Sequence, residues 1–276
     1  MMKMKNITFL AIVILLISCN RSKKIQQSQH FSEAEVIMNT EEKQKNTWVF
    51  IMAGQSNMAG RGLIESQDTI PSERILTINK NGQIVIAKEP LHFYEPSMAG
   101  LDCGLSFGKS LLKNIPDSIT ILMLPTAIGG SSISQWLGDS TYRNVRLLSN
   151  FIEKVNLGKK YGVIKGILWH QGESDANENN ASLYKVRLQK LIEKFREVVG
   201  INNLPVLIGE LGSYSDNNNY WSLINKQIES YVSTDNNAYV IKTNDLKDKG
   251  DKVHFNSIGQ RLLGQRFAKA FLGIKN

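Results

Sequence analysis

The chain has 276 residues, 42% of them hydrophobic and 21% charged, with a formal net charge of +8 at pH 7. Residues 1–24 hold five of the basic residues and no acid, so the remainder carries only +3 and shows no basic stripe interleaved with aromatics. That distribution excludes nucleic-acid binding. Four histidines without HxxxH or HxH spacing argue against a zinc site, and neither a metal nor a cofactor is expected.

Lys3 and Lys5 form a basic start, residues 7–17 an apolar core, and Leu16-Ile17-Ser18-Cys19 closes the segment. Such a segment is too short for a permanent span and reads as a signal peptide over residues 1–19. Leu-Ile-Ser-Cys resembles the lipobox of bacterial lipoproteins, which implies lipidation at Cys19; ordinary secretion with an incidental cysteine is the alternative. Lipid chains would hold the protein on a membrane at about 0.8 kcal/mol per buried methylene. The implied location is the bacterial cell envelope, with the exported protein anchored at the periplasmic or cell surface. A lipidated Cys19 leaves no intramolecular disulfide, and Cys103 then reads as a lone packing thiol. Residues 20–46 are rich in Ser, Gln, Asn, Lys and Glu without sustained period, as a flexible linker is. Residues 47–276 are enough for one domain with a full core.

In that domain the apolar run 48–53 predicts a buried strand that Gly54 breaks, and Gln55-Ser56-Asn57 follow at once. A serine on the turn after the first strand sits at the sheet edge where α/β folds place ligands. There its Oγ and nearby backbone N–H groups suit an acyl-transfer nucleophile. On this motif alone, a helix N-cap serine is the other reading. Runs 75–78 and 84–87 flank Asn81-Gly82, a hairpin signal outside the main rhythm. Leu105, Phe107, Leu111 and Leu112 make a helical stripe, and strand 119–124 follows. After it, Gly129-Gly130-Ser131-Ser132 predicts a pocket wall in which Gly130 and Ser131 take part. Trp136 either packs or faces a sugar.

Val145, Leu148, Phe151 and Val155 give the next helix, then strand 163–169 runs into His170-Gln171-Gly172-Glu173-Ser174-Asp175. There Gln171 can offer its amide to an oxyanion, Glu173 can brace the loop through backbone N–H groups, and Ser174 or Asp175 can cap a helix. A helix with Leu183, Val186, Leu188, Leu191, Ile192 and Phe195 precedes strand 204–208. One with Leu223, Ile224, Ile228 and Tyr231 precedes strand 238–241. Asp251-Lys252-Val253-His254 stands before the last stripe, Ile258, Leu262, Leu263, Phe267 and Phe271. Three-residue spacing lets one turn bring the carboxylate to Nδ1 of its own histidine. Continuous apolar strands alternating with amphipathic helices predict an α/β fold with a parallel sheet covered on both faces.

Gly-Gln-Ser-Asn-Met at 54–58, Gly-Gly-Ser-Ser-Ile-Ser-Gln-Trp at 129–136, Trp-His-Gln-Gly-Glu-Ser-Asp at 169–175 and Asp-Lys-Val-His-Phe at 251–255 together resemble the SGNH hydrolases. More narrowly, they resemble the branch of sialate O-acetylesterases and the family 6 acetyl xylan esterases, over about residues 47–272. The resemblance implies a flavodoxin-like three-layer α/β/α sandwich with a mainly parallel five-stranded sheet, and a metal-free serine esterase acting on an acetylated glycan. It makes Ser56 the nucleophile, His254 the base and Asp251 its orienting partner, with Gln55 and Asn57 in the supporting loop. The oxyanion donors would be the N–H of Ser56, the Gln171 side chain and Gly104. The family often has Gly-x-Gly-Pro-Gly where this chain has Gly100-Leu101-Asp102-Cys103-Gly104, so Gly100 is an alternative donor. Asp102 is expected to face solvent or a backbone donor, since an inward charge would repel the oxyanion. A lipase or thioesterase on longer acyl chains, an O-acetyltransferase or a non-catalytic glycan-binding lipoprotein would use the same frame.

Overall fold

The structure, a computed structural model, describes residues 44–274. The predicted leader, Cys19 and the linker up to residue 43 lie outside the described residues. A 3-10 turn, Gln44–Asn46, leads into β1 (Thr47–Gly54). In chain order follow α1 (Ser56–Ala59), the hairpin β2 (Ile75–Ile78) and β3 (Ile84–Ile86), α2 (Gly104–Leu112), β4 (Thr120–Pro125) and α3 (Ile133–Leu137). Then come a small hairpin β5 (Thr141–Tyr142) and β6 (Val145–Arg146), α4 (Leu147–Tyr161), β7 (Val163–His170) and α5 (Tyr184–Val199). The last elements are β8 (Val206–Gly209), α6 (Asn218–Val232), β9 (Ala238–Ile241) and α7 (Ser257–Leu272).

Seven strands form one sheet in the order β3-β2-β4-β1-β7-β8-β9, parallel except for β3. β1 reads as an unbroken apolar run because both of its faces are covered. Val49, Ile51 and Ala53 enter a core with Trp136 of α3, Phe151 of α4, Phe195 of α5 and Ile224 of α6. Phe50 and Met52 enter the opposite core, with Phe107 of α2 and Phe267 of α7. The result is the expected three-layer α/β/α sandwich.

The sheet has seven strands rather than five. The predicted hairpin does not stand apart: Ile75, Leu76 and Ile78 are buried, and β2 pairs parallel with β4 through Ile75–Ile121 and Leu76–Leu122. Apolar side chains on both faces of β2 make it an extension of the sheet. Val145 lies in β6 rather than in a helix, and Leu183, Val186 and Ile258 are exposed instead of facing the core.

Asp102 is fully buried, not solvent-facing. Its Oδ1 accepts the N–H of Gly104 at 2.6 Å and its Oδ2 lies 2.9 Å from His92 Nδ1, so the backbone-donor half of the expectation holds. Cys103 is a buried packing thiol whose pKa is pushed well up by burial and then by the Asp102 and Glu89 carboxylates. Trp136 packs edge-on against Trp169 with ring centroids 5.5 Å apart and is wholly buried, which overturns a sugar contact.

Candidate active site

The corner after β1 is built by close backbone approach. Gly54 has φ +138°, and a Cβ there would lie 2.0 Å from the carbonyl oxygen of His170 on neighbouring β7. Only glycine fits this crossing. Gln55 is extended and donates its N–H to the His170 carbonyl at 2.9 Å. Ser56 then opens α1 as its first helical residue, so it is not an N-cap serine.

Ser56 Oγ lies 2.9 Å from His254 Nε2, and His254 Nδ1 lies 2.7 Å from Asp251 Oδ2. Asp251 Oδ1 also accepts the N–H groups of Val253 at 3.0 Å and His254 at 2.8 Å. Partial burial works to raise the Asp251 pKa, but the His254 N–H, its imidazole and the Val253 N–H outweigh it and hold the group at about 2. An ionised carboxylate at Nδ1 keeps the proton there, which leaves the Nε2 lone pair facing Ser56. The one-turn Asp-x-x-His contact expected from spacing is therefore made, and the fold brings it to the serine.

Two of the three expected oxyanion donors, Gly104 and Gln171, are engaged inside the protein. The Gly104 N–H is engaged by Asp102, and a Cβ on Gly104 would meet Leu91 and Met52, inside the α2/α7 core rather than beside Ser56. The Gln171 side chain is fully buried, with Nε2 at 3.1 Å from Gln55 Oε1, 3.1 Å from Ser131 O and 2.6 Å from Asp175 Oδ2. Both amide hydrogens are consumed inside the protein, so Gln171 is a brace and not a donor to substrate. Gly100 directly precedes Leu101, which exchanges backbone hydrogen bonds with Gly62 at 2.8 and 3.1 Å.

β4 is the immediate neighbour of β1, so the loop after β4 flanks the Ser56 corner. The Ile128 N–H reaches Gly54 O at 3.1 Å, and Ser174 Oγ donates to Gly130 O at 3.0 Å. Gly130 has φ +81°, and its N–H, like that of Ser56, has no acceptor among the described residues. Ser131 is buried; its Oγ donates to Ile128 O at 2.9 Å and accepts from Trp136 Nε1 at 2.9 Å, an internal support for the loop.

Gln55 Oε1 ties the β7 loop to the corner through the Gln171 amide and the N–H groups of Gly172 at 3.4 Å and Ser174 at 3.2 Å. Glu173 braces through a side chain, not through backbone groups: its Oε1 accepts from Asn57 Nδ2 at 2.6 Å. Neither Ser174 nor Asp175 caps its own turn, and Asp175 Oδ2 instead accepts the N–H of Ile133, at the start of α3, at 2.8 Å.

Two further residues that shape the site, Tyr184 and Glu95, lie outside the sequence motifs. The buried Tyr184 hydroxyl donates to Gln171 O at 2.7 Å. Glu95 stands alone between motifs, yet its buried Oε2 accepts the Gly129 N–H at 2.6 Å and pairs with Arg61 at 2.9 Å. His170 is buried with Nε2 at 2.9 Å from Glu210 O, and burial pushes its pKa down although Glu173 opposes the shift. Among the described residues, no group of three or more His, Cys, Asp or Glu could hold a metal ion.

A family model described as carbohydrate esterase, sialic acid-specific acetylesterase matches residues 46–273. A probable carbohydrate esterase of Arabidopsis thaliana is 28% identical over 246 residues, covering 81% of this chain and 90% of that protein. The X-ray structure of an Arabidopsis thaliana protein superimposes with a TM-score of 0.72 at 25% identity, over 82% of this chain and 97% of that one. NanS superimposes with a TM-score of 0.68 at 17% identity, over 83% and 98% of the two chains. XAC1771, a carbohydrate acetylesterase from Xanthomonas citri, gives 0.59 at 19% identity, over 82% of this chain and 55% of that one.

Proposed function

The chain belongs to the carbohydrate esterase family of sialic acid-specific acetylesterases and is a carbohydrate O-acetylesterase, and on that premise we propose that Ser56, His254 and Asp251 are its catalytic triad. The observation that carries the reading is the unbroken hydrogen-bonded line from Ser56 Oγ through the imidazole to Asp251, at 2.9 and 2.7 Å.

In the first step Ser56 Oγ attacks the acetyl carbonyl while His254 Nε2 takes its proton. The negative charge that develops on the carbonyl oxygen is met by the backbone N–H of Ser56 and, in place of Gly104, by that of Gly130. What supports Gly130 is its place on the loop after the strand next to β1 and its lack of an acceptor among the described residues. Collapse of the tetrahedral intermediate breaks the ester bond, and the imidazolium gives its proton to the departing sugar oxygen. Water then attacks the acetyl-serine with His254 again as base, releasing acetate and the free serine. Asp251 stays ionised throughout and holds the imidazole in the tautomer that the first step needs.

The substrate in this reading is an O-acetylated glycan, with acetylated sialic acid and xylan the leading classes. The lipobox-like Leu16–Cys19 segment supports export to a bacterial envelope and a lipid anchor at Cys19. Acetate release from a panel of acetylated glycans, with propionyl and longer esters alongside, tests the reaction. Ser56→Ala should lower turnover by more than the roughly 10²–10³-fold that losing one oxyanion donor brings. Wild-type rates in that variant would sink the triad, and strong activity on long acyl esters would turn the reading towards a lipase.

A further inference from the structure

The base and the nucleophile come from opposite ends of the domain, 198 positions apart. The Asp251 and His254 side chains are 36% and 21% exposed, on a loop that contains left-handed Gly250 and Lys252. Such a loop needs a tie to α1 if Nε2 is to stay at hydrogen-bond distance from Ser56.

We infer that Asn57 is that tie: a positioning residue that locks His254 onto Ser56 by bonding the main chain on both sides of the histidine. The inference rests on the reading of Ser56 and His254 as nucleophile and base. Asn57 Nδ2 donates to Val253 O at 3.0 Å, and Asn57 Oδ1 accepts the N–H of Phe255 at 3.0 Å. A carbonyl only accepts and an N–H only donates, so the amide can sit in one orientation. The main-chain carbonyl of Asn57 takes a further bond from Gln260 Nε2 of α7 at 2.9 Å. Since Asn57 follows Ser56 directly, any movement of the 253–255 segment must carry α1 with it or break these bonds. Tyr214 Oη also reaches Val253 O, but only at 3.5 Å, and Lys252 ties to Asp216 at the exposed surface.

Glu173 points to the same conclusion. Its side chain is 6% exposed, its Oε2 has no partner, and its Oε1 is 3.8 Å from the nearest His170 nitrogen. The one hydrogen bond of this carboxylate among the described residues is the 2.6 Å contact from Asn57 Nδ2. Burying a carboxylate with so few partners is unfavourable in itself. Here it fixes the rotation of the Asn57 amide, and so the loop that carries the base. Asn57 itself is 1% exposed, which leaves no surface for substrate.

The test compares wild type with Asn57→Ala and Asn57→Ser, using p-nitrophenyl acetate hydrolysis, inactivation of Ser56 by a fluorophosphonate, and thermal melting. A base held loosely should lower kcat by up to about 10²-fold with KM within about twofold. Inactivation should slow by a similar factor, because the reagent also needs His254 to activate Ser56. The serine variant carries the comparison if the alanine variant does not fold. Unchanged kcat and inactivation rate with a lowered melting temperature would overturn the inference in favour of a purely structural role. A raised KM at unchanged kcat would overturn it in favour of substrate contact. Ser56→Ala and His254→Ala are run in parallel: full activity in either defeats the triad itself, whereas their inactivity beside a fully active Asn57→Ala defeats only the positioning role.

Discussion

At the scale of single residues, Asp251 sets the pH behaviour of the proposed triad. Partial burial raises its pKa, but the His254 N–H, the imidazole and the Val253 N–H bring it to about 2, below the ordinary 3.8. A depressed carboxyl contributes stability that is fully present above the ordinary value and is lost as pH falls through about 2. Acid unfolding should therefore lose the Asp251 contribution only as pH falls from the ordinary 3.8 through about 2, which thermal melts of wild type and Asp251→Asn across that window would check. Asp251→Asn should lower kcat by about 10⁴-fold through the wrong imidazole tautomer, with the fold retained by circular dichroism. A loss of only a few fold would mean that another group orients His254. The Asp251–His254 pair was legible because one turn spans it. The saturation of Gln171 was not, because Asp175, Ser131 and Gln55 reach it from three separate segments.

At the scale of elements, function depends on how β1 leaves the sheet beside β7. The continuous apolar runs made β1, β4, β7, β8 and β9 legible, since both faces of each strand are covered. The place of β2 and β3 was not legible, because a hairpin signal carries no information about which sheet edge the hairpin joins. Gly54 is the element-level determinant of the site: its φ of +138°, and the 2.0 Å that would separate a Cβ at this position from His170 O, leave no room for a side chain. Gly54→Ala should force β1 and β7 apart at their carboxyl ends, with about 1–3 kcal/mol of backbone strain. Urea unfolding should move its midpoint down, and kcat should fall by up to about 10²-fold as Ser56 shifts from His254. Unaltered kcat in a destabilised protein would show that the corner tolerates the displacement.

At the scale of the whole molecule, residues 1–24 carry five basic residues and no acid, and residues 25–276 together carry the remaining +3 of the net charge of +8. That division fits the proposal of a lipid-anchored esterase whose catalytic domain stands off a membrane. Cys19→Ser should move the protein from the membrane to the soluble fraction and abolish incorporation of labelled fatty acid, with acetylesterase activity unchanged. Retention in the membrane without fatty-acid labelling would replace the lipid anchor with another mode of attachment. The α/β class, the Gly54–Ser56 corner and the Asp251–His254 pair are legible in the sequence, because strand burial, a chain reversal and a one-turn contact are each set by neighbours within a few positions. The meeting of Ser56 with His254, the bonds of Asn57 on both sides of that histidine, and the lack of a free donor on Gly104 and Gln171 arise from long-range folding. Whether a polar group is free for chemistry depends on which distant groups arrive to pair with it, and local spacing does not encode that pairing.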